Sequence, residues 1–200
     1  MRKKSHILLA RYLADQMVLE TSLQSHRKAF CLGSILPDIR PSFVTKKHEY
    51  FGTFGEIQEK IRELVEHGPS EGNERVYWRN FGEVMHYMAD YFTFPHNKTY
   101  TGNLYEHNKY EKILKQRLKV YIKSGAASAD ACRPMYFEDL ADLTDFIRIS
   151  HASYLRKKRN ITEDINYILM ISFQVIQGII QLCTRQIQAK QDGKILPIAA

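Results

Sequence analysis

The sequence predicts an all-α protein, a single-domain helical bundle over residues 1–200. Three observations predict it. Apolar residues recur at helical spacing along most of the chain, two capping-box signatures open long helices, and no pair of alternating strands flanks a hairpin turn. A chain of 200 residues with a hydrophobic fraction of 44% can bury one substantial core.

In chain order, "HILLARYLADQMVLE" reads as a first amphipathic helix, and "CLGSILPDIRPSF" interrupts with a glycine and two prolines. "EIQEKIRELVEH" is helical, "HGPSEGN" is a turn-rich connection, and "VYWRNFGEVMHYMADYF" resumes a helix that Pro95 must end. Asn103 followed by Glu106 is an N-cap with its capping-box partner, opening a helix through about Lys123. After the small-residue linker "KSGAASADACRP" a helix is expected from Phe137 to about Arg156. Asn160 and Glu163 then repeat the capping signature ahead of a final helix ending near Lys190.

Cys31, Cys132 and Cys183 are odd in number, far apart and without a CxxC, which argues against a disulfide framework or a cysteine-based zinc site. The basic residues before Ile7-Leu8-Leu9-Ala10 imitate a signal peptide, but Arg11 and Asp15 interrupt the apolar stretch too early. The most apolar segment, Tyr167 to Leu182, contains glutamines and a glycine and reads as too short to span a bilayer. A cytoplasmic protein is therefore expected. A net charge of +7 favours anionic partners: phosphates, nucleic acid or an anionic membrane.

The chemistry concentrates in "HYMADYFTFPHNKTYTGNLYEHNKYE", where three of the chain's eight histidines stand. His86 and Asp90 lie four apart and share a helix face, His107 and Glu111 repeat the spacing, and His96 falls just beyond the proline. With His6, Asp38 and His48 they form an ordered set of imidazoles and carboxylates, the ligands that zinc accepts. Each has a simpler structural role available. The two i, i+4 pairs suit any helix surface, Asp38 after Pro37 suits a turn or cap, and His48 can open a helix. One metal site would account for all eight together.

This order of residues resembles that of the zinc-dependent phospholipase C family, which is akin in structure to the single-strand-specific zinc nucleases. The resemblance covers about Ser5 to Glu111. It implies a largely helical hydrolase that gathers two or three zinc ions in a cleft and uses metal-activated water against a phosphodiester. By the same resemblance His48, His86 and Asp90 hold the first zinc. Asp38 lies against that metal and its water, as a ligand or as the proton acceptor. His96, His107 and Glu111 hold the second, and Asp90 bridges to a third shared with His6. The implied substrate is a phosphodiester such as a phospholipid, approached with contact to an anionic membrane.

The sequence departs from the family at two places. Secreted members complete the third site with the free amino group of a mature N-terminal tryptophan, whereas "MRKKS" precedes His6 here, so the third metal is expected to bind weakly, to be replaced by another arrangement or to be absent. Choline-preferring members place an acidic residue near the N-terminus and aromatics near the loop aspartate and first-site histidine. This chain has Arg2, Lys3 and Lys4, then Ile39 and Thr45, which does not support a choline pocket. Arg40, Lys46 and Lys47 are candidates to draw in an anionic diester. "RKKRN" from Arg156 reads as a helix C-terminal cluster.

Three alternatives carry their own requirements. A nuclease-like or nucleotidase activity needs an aromatic platform, for which Tyr91, Phe92, Phe94, Tyr100 and Tyr105 are candidates. A helical phosphohydrolase of the HD type needs an adjacent His-Asp pair, which the sequence lacks. A non-catalytic basic binding module for nucleic acid needs a recognition helix, and none is evident.

Overall fold

The computed structural model describes residues 1–40, 49–127, 133–157 and 160–193. They form α1 (Lys3–Gln16), α2 (Thr21–Ser25), α3 (Arg27–Gly33), α4 (Leu36–Ile39), α5 (Tyr50–His67), α6 (Glu74–Tyr91), α7 (Leu104–Lys123), α8 (Leu140–Arg156) and α9 (Ile161–Gln191). Two 3₁₀ turns, Pro69–Glu71 and Phe94–His96, join them, and no strand occurs among the described residues.

Asn73, read only as part of a turn-rich connection, caps α6 by accepting from the Val76 amide. The two predicted caps also form. Asn103 and Glu106 close a reciprocal box on α7, each through a backbone N–H, at 3.0 and 2.9 Å. Asn160 accepts from the Glu163 amide and starts α9. The region read only as punctuation after Cys31 is more ordered than its composition suggests. α3 runs through Gly33, and Pro37 is accommodated in the first turn of the short α4, where its missing N–H costs nothing.

α6 is central and buries nearly every residue from Tyr77 to Tyr91. Trp78 and Phe81 stack with centroids 5.3 Å apart, and Phe30 of α3 meets both edge-on. This contact is close because two glycines permit it. A Cβ on Gly33 would lie 1.9 Å from the Arg79 carbonyl oxygen, and one on Gly82 would lie 2.1 Å from that of Phe30. The backbones of α3 and α6 therefore touch.

α9 packs against α5, α6, α7 and α8. It is 31 residues long with an 18-residue window of mean hydropathy 1.5, so by length and composition it could cross a membrane. The 16-residue apolar stretch seen in the sequence understated it, because the helix continues at both ends. In the fold 67% of that window is buried within the protein, with Ile168, Ile171, Val175, Ile176 and Ile179 in the core.

Candidate metal centre

α1, α4, α6, the Phe94–His96 turn and α7 bring seven of the eight predicted residues together: His6, Asp38, His86, Asp90, His96, His107 and Glu111. His48 lies outside the described residues, as do Lys46 and Lys47. Two groups are distinct. One ligand atom from each of His6, Asp38 and His86 lies within 4.8 Å of the others, and the same holds for His96, His107 and Glu111.

Asp90 stands between the groups. Its Oδ1 is 3.3 Å from His6 Nε2, and its Oδ2 is 3.2 Å from His86 Nε2 and 3.6 Å from His96 Nδ1. Glu111 Oε1 is 3.2 Å from both His96 Nε2 and His107 Nε2. Two donors each about 2.0–2.1 Å from one tetrahedral zinc would lie roughly 3.3 Å apart, so the donor set is spaced to share ions. A second observation agrees with this fit. His6 is buried, yet its ring has no well-formed hydrogen bond beyond the 3.3 Å approach of Nε2 to Asp90, and an ion would satisfy it.

The surroundings aim the donors. His86 Nδ1 donates to the carbonyl of Ser34 at 2.9 Å, which leaves Nε2 as the lone-pair nitrogen facing Asp90 and Asp38. That carbonyl is at the end of α3, within reach only because the two glycines let α3 and α6 meet. Pro95 halts the helix after Asp90, and Asn97 Nδ2 donates to the carbonyls of Tyr91 and Thr93, so the turn presenting His96 is held against the end of α6. Asn97 Oδ1 in turn accepts from His151 Nε2 at 3.0 Å.

Next to the residues expected at the third site lies the start of the chain. Arg2 enters α1 in an extended conformation, and the α-amino group of Met1 is buried against Asp90 and Glu111, 3.2 Å from Glu111 Oε1 and 2.9 Å from His96 Nε2.

Burial pushes this amine towards its neutral form, but the charges of Asp90 and Glu111 more than offset that and raise its pKa. Burial, followed by the charge of His86, takes His6 down to about 3, so its ring is neutral and able to ligate. Burial alone would raise Asp90 and Glu111. For Asp90 the neighbouring His96, amino group, His86 and His6 outweigh it, and for Glu111 hydrogen bonds from His107 and His96 do, holding both carboxyls ionised well below their usual range.

The cluster opens through Asp38, His96, His107 and Glu111 into a cleft of about 770 Å3, whose lining also includes Arg2, Lys3, Lys4 and Lys115. Arg40 does not line it; its guanidinium pairs with buried Glu83 at 2.7 Å. Arg156 bonds the Ala152 carbonyl, while Lys158 and Arg159 lie outside the described residues. Tyr91 and Phe92 are fully buried, so they are core residues rather than part of an aromatic platform. Sequence reasoning missed Ser34, Asn97, His151 and Asp164, which act through the ligands' neighbours. For Asp164 a signal existed, since a carboxylate four residues before Ile168 falls in the apolar register of α9.

A family model described as zinc dependent phospholipase C matches residues 5–161, a span that includes all eight candidates. No curated protein and no solved structure matches the chain.

Proposed function

The chain belongs to the zinc-dependent phospholipase C family, and from that premise we propose that it hydrolyses the phosphodiester of a phospholipid. The observation that carries this reading is Asp90, whose two oxygens reach histidines of both groups and so suit a cluster of two or three ions rather than an isolated one. His6, Asp38, His86 and Asp90, with the Met1 amine beside them, would hold one part of the cluster. His96, His107 and Glu111 would hold the other. When bound, zinc supplies a water acidified towards a pKa of about 7 and positive charge for the phosphate oxygens.

The chain's own residues do the rest. Asp38 reaches the cleft from α4 and would serve there either as a ligand or as the acceptor for the proton of the attacking water. Ser34 keeps the His86 donor nitrogen turned inward. Arg2, Lys3, Lys4 and Lys115 give the cleft a positive mouth that favours an anionic diester and repels a choline cation. Beside that mouth, Leu104 and Tyr105 at the start of α7 are each 75% exposed. Exposed apolar side chains flanked by cations suit contact with an anionic bilayer, where each cation contributes about 1 kcal/mol. Of the five aromatics that could stack nucleic-acid bases, Tyr91 and Phe92 are buried and unavailable, and Tyr105 is shared between the two readings, so the cations beside Leu104 carry the preference for lipid.

The test compares initial rates on phosphatidylcholine, phosphatidylglycerol, single-stranded DNA and a chromogenic diester, with and without chelator. Chelator-sensitive turnover of lipid without preference for choline is expected. Strong preference for phosphatidylcholine would overturn the charge argument, and preference for DNA would replace the substrate class.

A further inference from the structure

Asp164, in the first turn of α9, is completely buried and takes no part in the cluster. Its carboxylate nevertheless gathers three donors from three different elements. Oδ2 accepts from the Phe94 backbone N–H and from the Tyr110 hydroxyl, both at 2.9 Å. Oδ1 accepts from the Tyr154 hydroxyl of α8 at 2.7 Å.

Two of those donors adjoin proposed metal ligands. Phe94 begins the 3₁₀ turn that presents His96, and Tyr110 immediately precedes Glu111 on α7. The two arms of the second group thus come from elements with no covalent link shorter than the Asn97–Asn103 connection, and they meet again at one carboxylate. A buried carboxylate is costly unless its lone pairs are occupied, and one filled by donors from separate elements fixes their relative positions. The N-terminal end of α9 also favours its negative charge.

We propose that Asp164 is a positioning residue for the second metal group: it locks the His96 turn to α7 and so sets where His96 lies relative to His107 and Glu111. The proposal rests on the metal reading of that group. Asp164 would act through Phe94 and Tyr110, as the supporting partners of metal ligands do. Replacing the carboxylate by an amide removes one acceptor: an NH2 facing Phe94 N–H repels it, and one facing the Tyr154 hydroxyl forces that hydroxyl to accept instead of donate, so the clamp between the turn and α7 weakens.

The test measures zinc content and chelator-driven zinc release for the full chain and for Asp164→Asn, Tyr110→Phe and Tyr154→Phe, with thermal unfolding of each zinc-free protein alongside. Tyr110→Phe deletes a single oxygen and keeps the experiment informative if Asp164→Asn does not fold. Tyr154→Phe weakens the same carboxylate from the side away from the ligands and reports the purely structural effect. Asp164→Asn and Tyr110→Phe are each expected to release one zinc about ten times more readily, at the low end of what supporting partners give. The remaining zinc should be unaffected, and Tyr154→Phe should change the unfolding temperature alone. Zinc release that is equal in all four proteins would overturn the positioning role and leave the metal reading standing. An unaltered chain that holds no zinc would overturn both.

Discussion

The imidazole rings of His6 and His86 stack with centroids 3.9 Å apart and planes inclined by 20°. Both are buried, so two positive charges at this separation would repel strongly with little water to screen them. Two positive rings are disfavoured here, and His6, held down to about 3 chiefly by burial, is a neutral ring with a lone pair to offer. Asp90 Oδ1 touches one ring and Oδ2 the other, which makes Asp90 the hinge of the constellation.

A graded loss of zinc follows from that arrangement. His6→Gln is expected to remove one zinc equivalent, while Asp90→Asn removes more than one and lowers activity roughly a hundredfold or more, beyond the 10–100-fold typical of supporting partners. Asp15→Asn serves as the control: Asp15 pairs with Arg27 on the surface and should change neither property, because such pairs contribute about 0–1 kcal/mol. Elemental analysis of the three proteins decides it. Equal zinc in Asp90→Asn and Asp15→Asn would reduce Asp90 to a helix-pairing carboxylate.

Residues added ahead of Met1 should be harmful. They convert the buried ammonium into an amide and leave Asp90 and Glu111 without its charge. Breaking a buried pair costs about 3–5 kcal/mol, so a chain carrying a short N-terminal extension should unfold at lower urea than one starting at Met1. Coincident urea curves would show that the amine contributes nothing.

Two glycines should respond with opposite signs. Gly82→Ala forces α3 from α6 and should cost about 1–3 kcal/mol or more. It should also weaken zinc binding, because the Ser34 carbonyl that orients His86 moves with α3. Gly55→Ala, on the exposed side of α5 with nothing near the added carbon, should stabilise by about 0.5–1 kcal/mol. Thermal unfolding of both variants is a direct check.

The pH profile contains two opposing arms. Burial holds His151 down to about 4 from 6.5, so the unfolded chain binds its proton first, and the stability it gives is lost as pH falls between those values. Burial raises Asp164 from 3.8 to about 6, so there the folded chain binds the proton more tightly and stability falls as pH rises across that range. Each arm is worth about 3 kcal/mol and they nearly offset. Denaturation at pH 4.5 and 6.5 should therefore show His151→Gln losing stability on going to the higher pH, relative to the unaltered chain, and Asp164→Asn gaining it. The same sign for both variants would be incompatible with this assignment.

Much of the architecture was legible because it is written locally. The caps at Asn103 and Asn160 and the helical periodicity each depend on neighbours within one or two turns. The ligand candidates were legible too, since the i, i+4 spacing of His86 and Asp90 survives into the fold as a 3.2 Å contact. What escaped the sequence depends on distant approaches. The Met1 amine reaches Asp90 across 89 positions, the Ser34 carbonyl meets His86 across 52, and Phe94 meets Asp164 across 70. The α3–α6 contact was hidden for the same reason, because nothing in "CLGS" or "NFGEV" says that each glycine meets the backbone of the other helix.

The helix that begins at Ile161 bears on where this protein can be cut. The family match ends at that residue, yet Ile165, Ile168, Ile171, Val175, Ile176 and Ile179 beyond it lie in the core. Trimming at the limit of similarity would excise a helix packed on four others and uncover the apolar faces of α5 and α6, a surface of the kind that drives aggregation. The unit that is inherited by resemblance is therefore shorter than the unit that can fold. Fragments for crystallisation or isotope labelling should keep α9 to Gln191.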